Sequence, residues 1–225
     1  MEIVLIRHGE PEWVRGGYNV DNPPLTARGI RQAEAMAEVL RHEHFDEVFC
    51  SPLLRARQTA APLFAALGRR EAVDPWLEEI RNPIWHGTPQ EKADLAYAED
   101  RARPAEERWK GLDGGEHVGE FVARVNDGVT SFLAARNLVR SEQRLTVWNG
   151  EPMEKRIALV AHAGTNSVVI CDLLGLEPTP WEWERFVIGH ASISRVEAMK
   201  LGDGLTFCVT KLSDVEHLGR EDRTR

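Results

Sequence analysis

A chain of 225 residues with 42% hydrophobic and 28% charged side chains has the makeup of a soluble globular protein with one sizeable core. Its formal net charge of -8 argues against a general affinity for nucleic acid or anionic membrane and leaves room only for a local basic site. No apolar run approaches the roughly 20 residues of a membrane span. The first residues lack the basic start and long apolar segment of a signal peptide, so the expectation is a cytoplasmic protein. Cys50, Cys171 and Cys208 form no C-x-x-C pair and read as small buried hydrophobes.

Residues 2 to 6 run apolar without alternation, the pattern of a strand covered on both faces. They empty into Arg7-His8-Gly9, a fixed cation and a titratable ring at a turn. After the turn-rich stretch from Gly16, Thr26 is placed to cap a helix on which Ile30, Ala33, Ala37 and Leu40 share one face. Residues 46–50 form the next strand. Ser51-Pro52 then pairs a cap with proline at the first helical position, opening a helix striped by Leu53, Ala56, Ala60, Leu63 and Leu67.

From 74 to 115 the pattern weakens. Trp76, Trp85, Tyr97 and Trp109 lie among charges, with Pro83, Pro89 and Pro104 interrupting, so residues 81–115 read as a lid-like excursion. Val118, Phe121, Val125, Val129 and Phe132 mark a long helix. Residues 141–155 look like a hairpin insertion turned at Asn149-Gly150. Residues 156–164 are a third buried strand ending in a polar turn, and a helix runs from Thr165 to Leu174 and stops near Gly175. Thr179 to Glu182 has the form of a capping box. Two last strands, 192–201 and 205–212, join across Gly202-Asp203-Gly204, and the tail after Asp214 reads as frayed. With no repeat or linker, residues 1–225 read as one domain.

This order implies a three-layer α/β fold, a mostly parallel sheet flanked by helices. In such sheets ligands bind beyond the carboxyl ends of the strands. Three strand ends deliver Arg7-His8, the stretch from Ser51 to Arg55, and His162 to one place. Two guanidiniums match phosphate oxygens in pairs, and backbone N–H groups at the helix start after His162 add positive potential. A neutral imidazole beside a bound phosphate invites attack on phosphorus, and neighbouring cations keep that ring neutral. The chemistry also needs an acid for the leaving oxygen.

"RHGEPEW" (7–13), "PPLTARGIRQA" (23–33), "SPLLRARQTA" (51–60), "WLEEI" (76–80) and "VAHAGTNSVV" (160–169) together resemble the histidine phosphatase superfamily, in the phosphoglycerate mutase-like branch. The resemblance implies a phosphohistidine mechanism with His8 as nucleophile. It makes Arg7 and Arg55 phosphate clamps and His162 a further catalytic contact to the transferring group. It places the acid at Glu79, with Glu78 as the neighbouring alternative. No metal and no cofactor are implied.

The chain departs from the family pattern at Val14, where an asparagine often donates to phosphate, so that either Asn19 or Asn22 compensates or the pocket holds one donor fewer. Ala163 follows His162 where glycine is usual, Trp85-His86-Gly87 replaces Trp-Glu-Gly, and Gly115-Glu116-His117 replaces Gly-Glu-Ser. A cysteine-dependent phosphatase loop at Cys50–Arg55 is the rival, and it is one residue short and interrupted by proline. The tryptophans of 76–109 line a substrate mouth or pack the excursion. His42 and His44 are surface residues. The expected activity is hydrolysis of a small-molecule phosphomonoester. A mutase-type phosphotransfer and a non-catalytic phospholigand-binding protein are the alternatives, with substrate and oligomeric state left open.

Overall fold

The computed structural model describes residues 1–141, 145–151 and 154–225. Its elements in chain order are β1 (Glu2–Arg7), a small ribbon of β2 (Val14–Arg15) and β3 (Tyr18–Asn19), α1 (Ala27–Leu40), β4 (Glu47–Cys50) and α2 (Leu54–Ala66). There follow α3 (Gln90–Ala102), α4 (Val118–Ala134), β5 (Val139–Arg140), β6 (Trp148–Asn149) and β7 (Arg156–Ala161). The last are α5 (Ala163–Leu174), α6 (Glu182–Arg185), β8 (Ile193–Leu201) and β9 (Gly204–Asp214). Short 3-10 turns at Pro75–Leu77 and Ala105–Lys110 flank α3.

The uninterrupted apolar runs of β1 and β7 are explained by what covers them. Ile3, Leu5, Ile157 and Leu159 face one core, with Phe121 and Val125 of α4 and Val169 of α5. Val4, Ile6, Ala158 and Val160 face the other, with Met36 and Leu40 of α1 and Leu63 of α2. Successive side chains point to opposite faces, so a strand between two helical layers has to be apolar at every position.

The main sheet has the order β4-β7-β1-β8-β9-β6-β5. Strands β4, β7 and β1 are parallel, and each later pairing is antiparallel. Among the described residues five strands therefore share one direction, and the sheet is mixed but mostly parallel, as the element order predicts. The parallel trio places the carboxyl ends of β1, β4 and β7 side by side.

Thr26 caps α1 as expected, its Oγ1 accepting from Gly29 N at 3.0 Å. Thr26→Ala is expected to cost about 1 kcal/mol, the typical worth of such a cap, read as a lowered urea midpoint with unchanged slope.

Other local expectations are corrected. Ile30 lies outside the buried stripe of α1, 49% exposed, while Gly29, Gln32 and Met36 turn inward. Ser51-Pro52 does not open α2: the helix starts at Leu54, whose N–H is accepted by Asn22 Oδ1 at 2.9 Å. The capping-box bond at Thr179 N and Glu182 forms, but the helix it starts is one turn long. Asn149 is a strand residue rather than a turn, because β6 pairs with β5 in a register that buries Trp148 completely. The segment between those strands includes 142–144, and the 141–155 insertion also includes 152–153; both groups lie outside the described residues.

The tail after Asp214 is docked. Leu218 is buried, Arg31 pairs with Asp222 at 2.6 Å, and Gln32 Nε2 donates to Asp222 O at 2.6 Å.

Candidate active site

His8 leaves β1 beside the end of β7, its N–H donating to Ala161 O at 2.9 Å. The turn after it lies close against α1, where a Cβ on Gly9 would meet Gly29 O at 2.6 Å, so only glycine fits. The His8 ring is 3% exposed. Its Nδ1 is 2.7 Å from Gly9 O, and Arg55 Nε donates to its Nε2 at 3.3 Å. A carbonyl only accepts and a guanidinium only donates, so the ring proton sits on Nδ1 and Nε2 is bare. Burial first, then His162, Arg55 and Arg7, hold the His8 pKa well below the ordinary imidazole value.

A depressed pKa means the ring stays unprotonated as pH falls through its usual titration range. The acid limb of kcat/KM belonging to His8 is therefore expected below the ordinary value of about 6.5. An NMR titration of the His8 ring, and a rate profile corrected for substrate ionisation, measure it.

His162 caps β7, is fully buried, and lies 5.1 Å from the His8 ring between centroids. Its Nε2 meets Ser51 Oγ at 2.7 Å, and that hydroxyl oxygen already accepts from Leu53 N at 3.3 Å. With the Ser51 hydrogen donated to that nitrogen, the imidazole proton lies on Nδ1, an atom without a protein partner. Ser51 is a ring-orienting residue rather than the helix cap expected from sequence. Burial, then Arg55, Arg7 and Arg124, lower the His162 pKa as well.

Arg55, on the first turn of α2, is 4% exposed, with its guanidinium 4.7 Å from the centre of the Trp13 ring. Desolvation pulls the Arg7 and Arg55 guanidiniums down to about 10, so both stay charged at neutral pH. Two cations this close, with Glu79 as the acidic neighbour of both, form an electrostatic trap for a dianion.

Glu79 reaches the same cleft from an extended segment anchored by the fully buried Leu77. Its Oε2 accepts from Gly164 N at 2.9 Å and its Oε1 from Ile80 N at 3.0 Å. A Cβ on Gly164 would stand 2.5 Å from Glu79 Oε1. Glu78 does not line this cleft and pairs with Arg81 at 2.7 Å. Arg124 of α4 grips the segment from behind, donating to the carbonyls of Glu78 and Glu79 at 2.8 Å each and pairing with Glu116 at 2.7 Å.

All five expected residues, Arg7, His8, Arg55, Glu79 and His162, therefore meet, and all but His162 line a cleft of about 440 Å³. Tyr97, Arg101 and Asn82 of the excursion form one wall and Trp183 and Val187 another. Trp76 instead packs against Phe132, and Trp85 against Tyr97. Asn19 does not compensate for Val14, since its Nδ2 is engaged by Thr88 and Pro89; Asn22, whose Oδ1 accepts from Leu54 N, does not line the cleft. Burial raises the Cys50 thiol to about 12, which removes the thiolate rival. His190, Thr224 and Arg124 escaped the sequence reading, and Ser51 was read there as a cap rather than as a partner of His162.

Two buried neutral imidazoles between two guanidiniums, faced by a carboxylate, define a phosphoryl-handling centre of the histidine type. The model of the histidine phosphatase superfamily, branch 1, matches residues 3–206. The chain belongs to that family. It is 31% identical over 221 residues to phosphoserine phosphatase 1 of Hydrogenobacter thermophilus, covering 97% of this chain and 95% of the relative. It is 27% identical over 233 residues to a probable phosphoglycerate mutase of Yersinia enterocolitica, again over 97% and 95%. A mycobacterial glucosyl-3-phosphoglycerate phosphatase solved with inorganic phosphate matches with a TM-score of 0.70 at 25% identity, over 97% of this chain and 99% of that one.

Proposed function

We propose that the protein hydrolyses a small phosphomonoester through a phosphohistidine intermediate, without a metal. The observation that carries this is the bare Nε2 of His8, held by the buried Arg55 in a cleft that the half-buried Arg7 and Glu79 also line. His8 Nε2 attacks phosphorus as the ester P–O bond breaks, and the carboxyl of Glu79 gives its proton to the leaving oxygen. Arg7, Arg55 and the Nδ1–H of His162 hold the phosphoryl oxygens. A water then attacks phosphorus, Glu79 takes its proton, and the N–P bond breaks to release phosphate and restore His8. Positioning and fixed charge supply most of the rate in such transfers.

Phosphatase and mutase share this machinery, and both names occur among the relatives. Hydrolysis is favoured because the basic residues of the excursion are mostly neutralised within the protein. Arg81 pairs with Glu78, Arg103 with Asp113, and Arg108 with Glu184, which leaves Arg101 as the excursion's one cleft-lining cation without an ion pair among the described residues. Cytoplasmic placement accords with three free cysteines, and among the described residues no helix is long and apolar enough to cross a membrane. Residues 1–225 are taken as one functional unit.

A phosphomonoester panel assayed with EDTA, using His8→Ala as the blank, is expected to show chelator-resistant release of phosphate. Loss of activity in EDTA would overturn the metal-free reading. Conversion of 3-phosphoglycerate to 2-phosphoglycerate, faster than phosphate appears, would replace hydrolase by mutase.

A further inference from the structure

Arg7 is held by one backbone carbonyl and one side chain. Its Nη1 donates to Ile188 O and its Nη2 to His190 Nε2 at 3.0 Å, while Nε has no partner. A guanidinium has only donors, so His190 Nε2 must be bare and Nδ1 must carry the ring proton. That proton points at Thr224 Oγ1, 2.9 Å away. Thr224 Oγ1 also accepts from Gln32 Nε2 at 2.9 Å.

The Gln32 amide is itself fixed in orientation. Its Oε1 accepts from Glu10 N at 2.7 Å, and its Nε2 donates to Asp222 O as well. The Gln32, His190 and Arg7 donors along this chain therefore each have one direction. Gln32 is fully buried and His190 is 5% exposed. The backbones are tied too, with His190 N donating to Thr224 O at 3.0 Å.

We propose that His190 is the positioning residue of Arg7, and that the C-terminal tail sets its tautomer and place through Thr224. The inference rests on the reading above in which Arg7 grips the phosphoryl group. Without the Thr224 acceptor, only the Arg7 contact still opposes a shift of the ring proton to Nε2. There it meets the guanidinium donor against donor, and Arg7 swings from its phosphate-facing pose. Burial and Arg7 hold the His190 pKa down to about 3, so the ring stays a neutral acceptor throughout the working range. The His190 and His8 rings lie 5.7 Å apart, so the same contact also steadies the wall beside the nucleophile.

The test uses the full chain and inorganic phosphate as the titrated probe. Thr224→Val is expected to weaken phosphate binding about ten-fold, the worth of roughly one charge-assisted hydrogen bond. Thr224→Ser, which keeps the hydroxyl, restores it. In an Arg7→Ala background, Thr224→Val is expected to add less than about two-fold, because the two changes act through one contact. Long-range ¹H–¹⁵N spectra should show His190 protonated at Nδ1 in the native protein and as mixed tautomers in Thr224→Val.

Thermal melts report whether Thr224→Val stays folded. If it does not, His190→Ala compared with His190→Gln, whose amide oxygen can still accept from Arg7, decides: the glutamine keeps native phosphate affinity and the alanine loses it. Native affinity in Thr224→Val, an undiminished penalty on the Arg7→Ala background, or an Nε2-protonated His190 overturns the relay while leaving the phosphatase reading intact. Unchanged phosphate affinity in Arg7→Ala alone overturns the clamp and the relay together.

Discussion

Alanine at position 8 is expected to lower kcat by about 10⁴-fold or more, because the nucleophile that divides the reaction into two easier steps is gone. On the proposed mechanism, the bare Nε2 attacks a phosphoryl group held by Arg7 and Arg55, which line the same cleft. Rapid quenching of the native enzyme with labelled substrate should trap protein-bound phosphate that is acid-labile and base-stable, and His8→Ala should trap none. The variant must be shown to melt cooperatively, since the ring fills a buried space. The arginines remain, so phosphate binding is expected to survive. Turnover within about ten-fold of native in a folded His8→Ala protein would end the covalent mechanism.

Glu79→Gln should reduce kcat by about 10² to 10⁴, the usual contribution of a positioned acid. The loss ought to depend on the leaving group. With an alkyl phosphate the first step fails for want of a proton. With p-nitrophenyl phosphate, whose leaving group needs none, a burst of nitrophenol followed by slow turnover is expected, because water activation still requires Glu79.

Glu78→Gln separates the two candidates. Its side chain serves only an exposed pair with Arg81, worth at most about 1 kcal/mol, and kinetics should hardly change. Gly164→Ala gives an independent check, since its methyl would press on Glu79 Oε1. A displacement of that order at a reacting group costs up to about 10² in rate. If Glu78→Gln proves the more damaging variant, the acid has been misassigned.

The chemistry was legible in sequence wherever it hangs on regular elements. Apolar runs at 2–6 and 156–161 announce strands covered on both faces, and parallel strands put their carboxyl ends together, so Arg7, His8 and His162 declare themselves. Contacts made across the chain stayed hidden. Gln32 looks like a solvent-facing residue of α1, and its burial makes sense only once Glu10 and the tail satisfy its amide.

Ile30 follows helical spacing yet faces outward, because the stripe centres on Met36 and Leu40. Ser51-Pro52 has the composition of a cap, but the hydroxyl is engaged by His162, which comes 111 positions later. His190 is the instructive miss. It precedes β8, which pairs antiparallel with β1, and the start of an antiparallel neighbour always lies beside the end of its partner. That rule would have placed it next to Arg7.

Of the groups proposed to act on phosphorus, Arg7, His8 and His162 sit at strand ends and the buried Arg55 on the first turn of α2, whereas α3 buries only Ala93. On the proposed mechanism, bond cleavage and one wall of the cleft are thus carried by separate stretches of chain. A lineage with this architecture can change its metabolite by drift within the excursion, without reopening the risky matter of how the bond is cut, and a laboratory library confined to residues 81–112 should do the same.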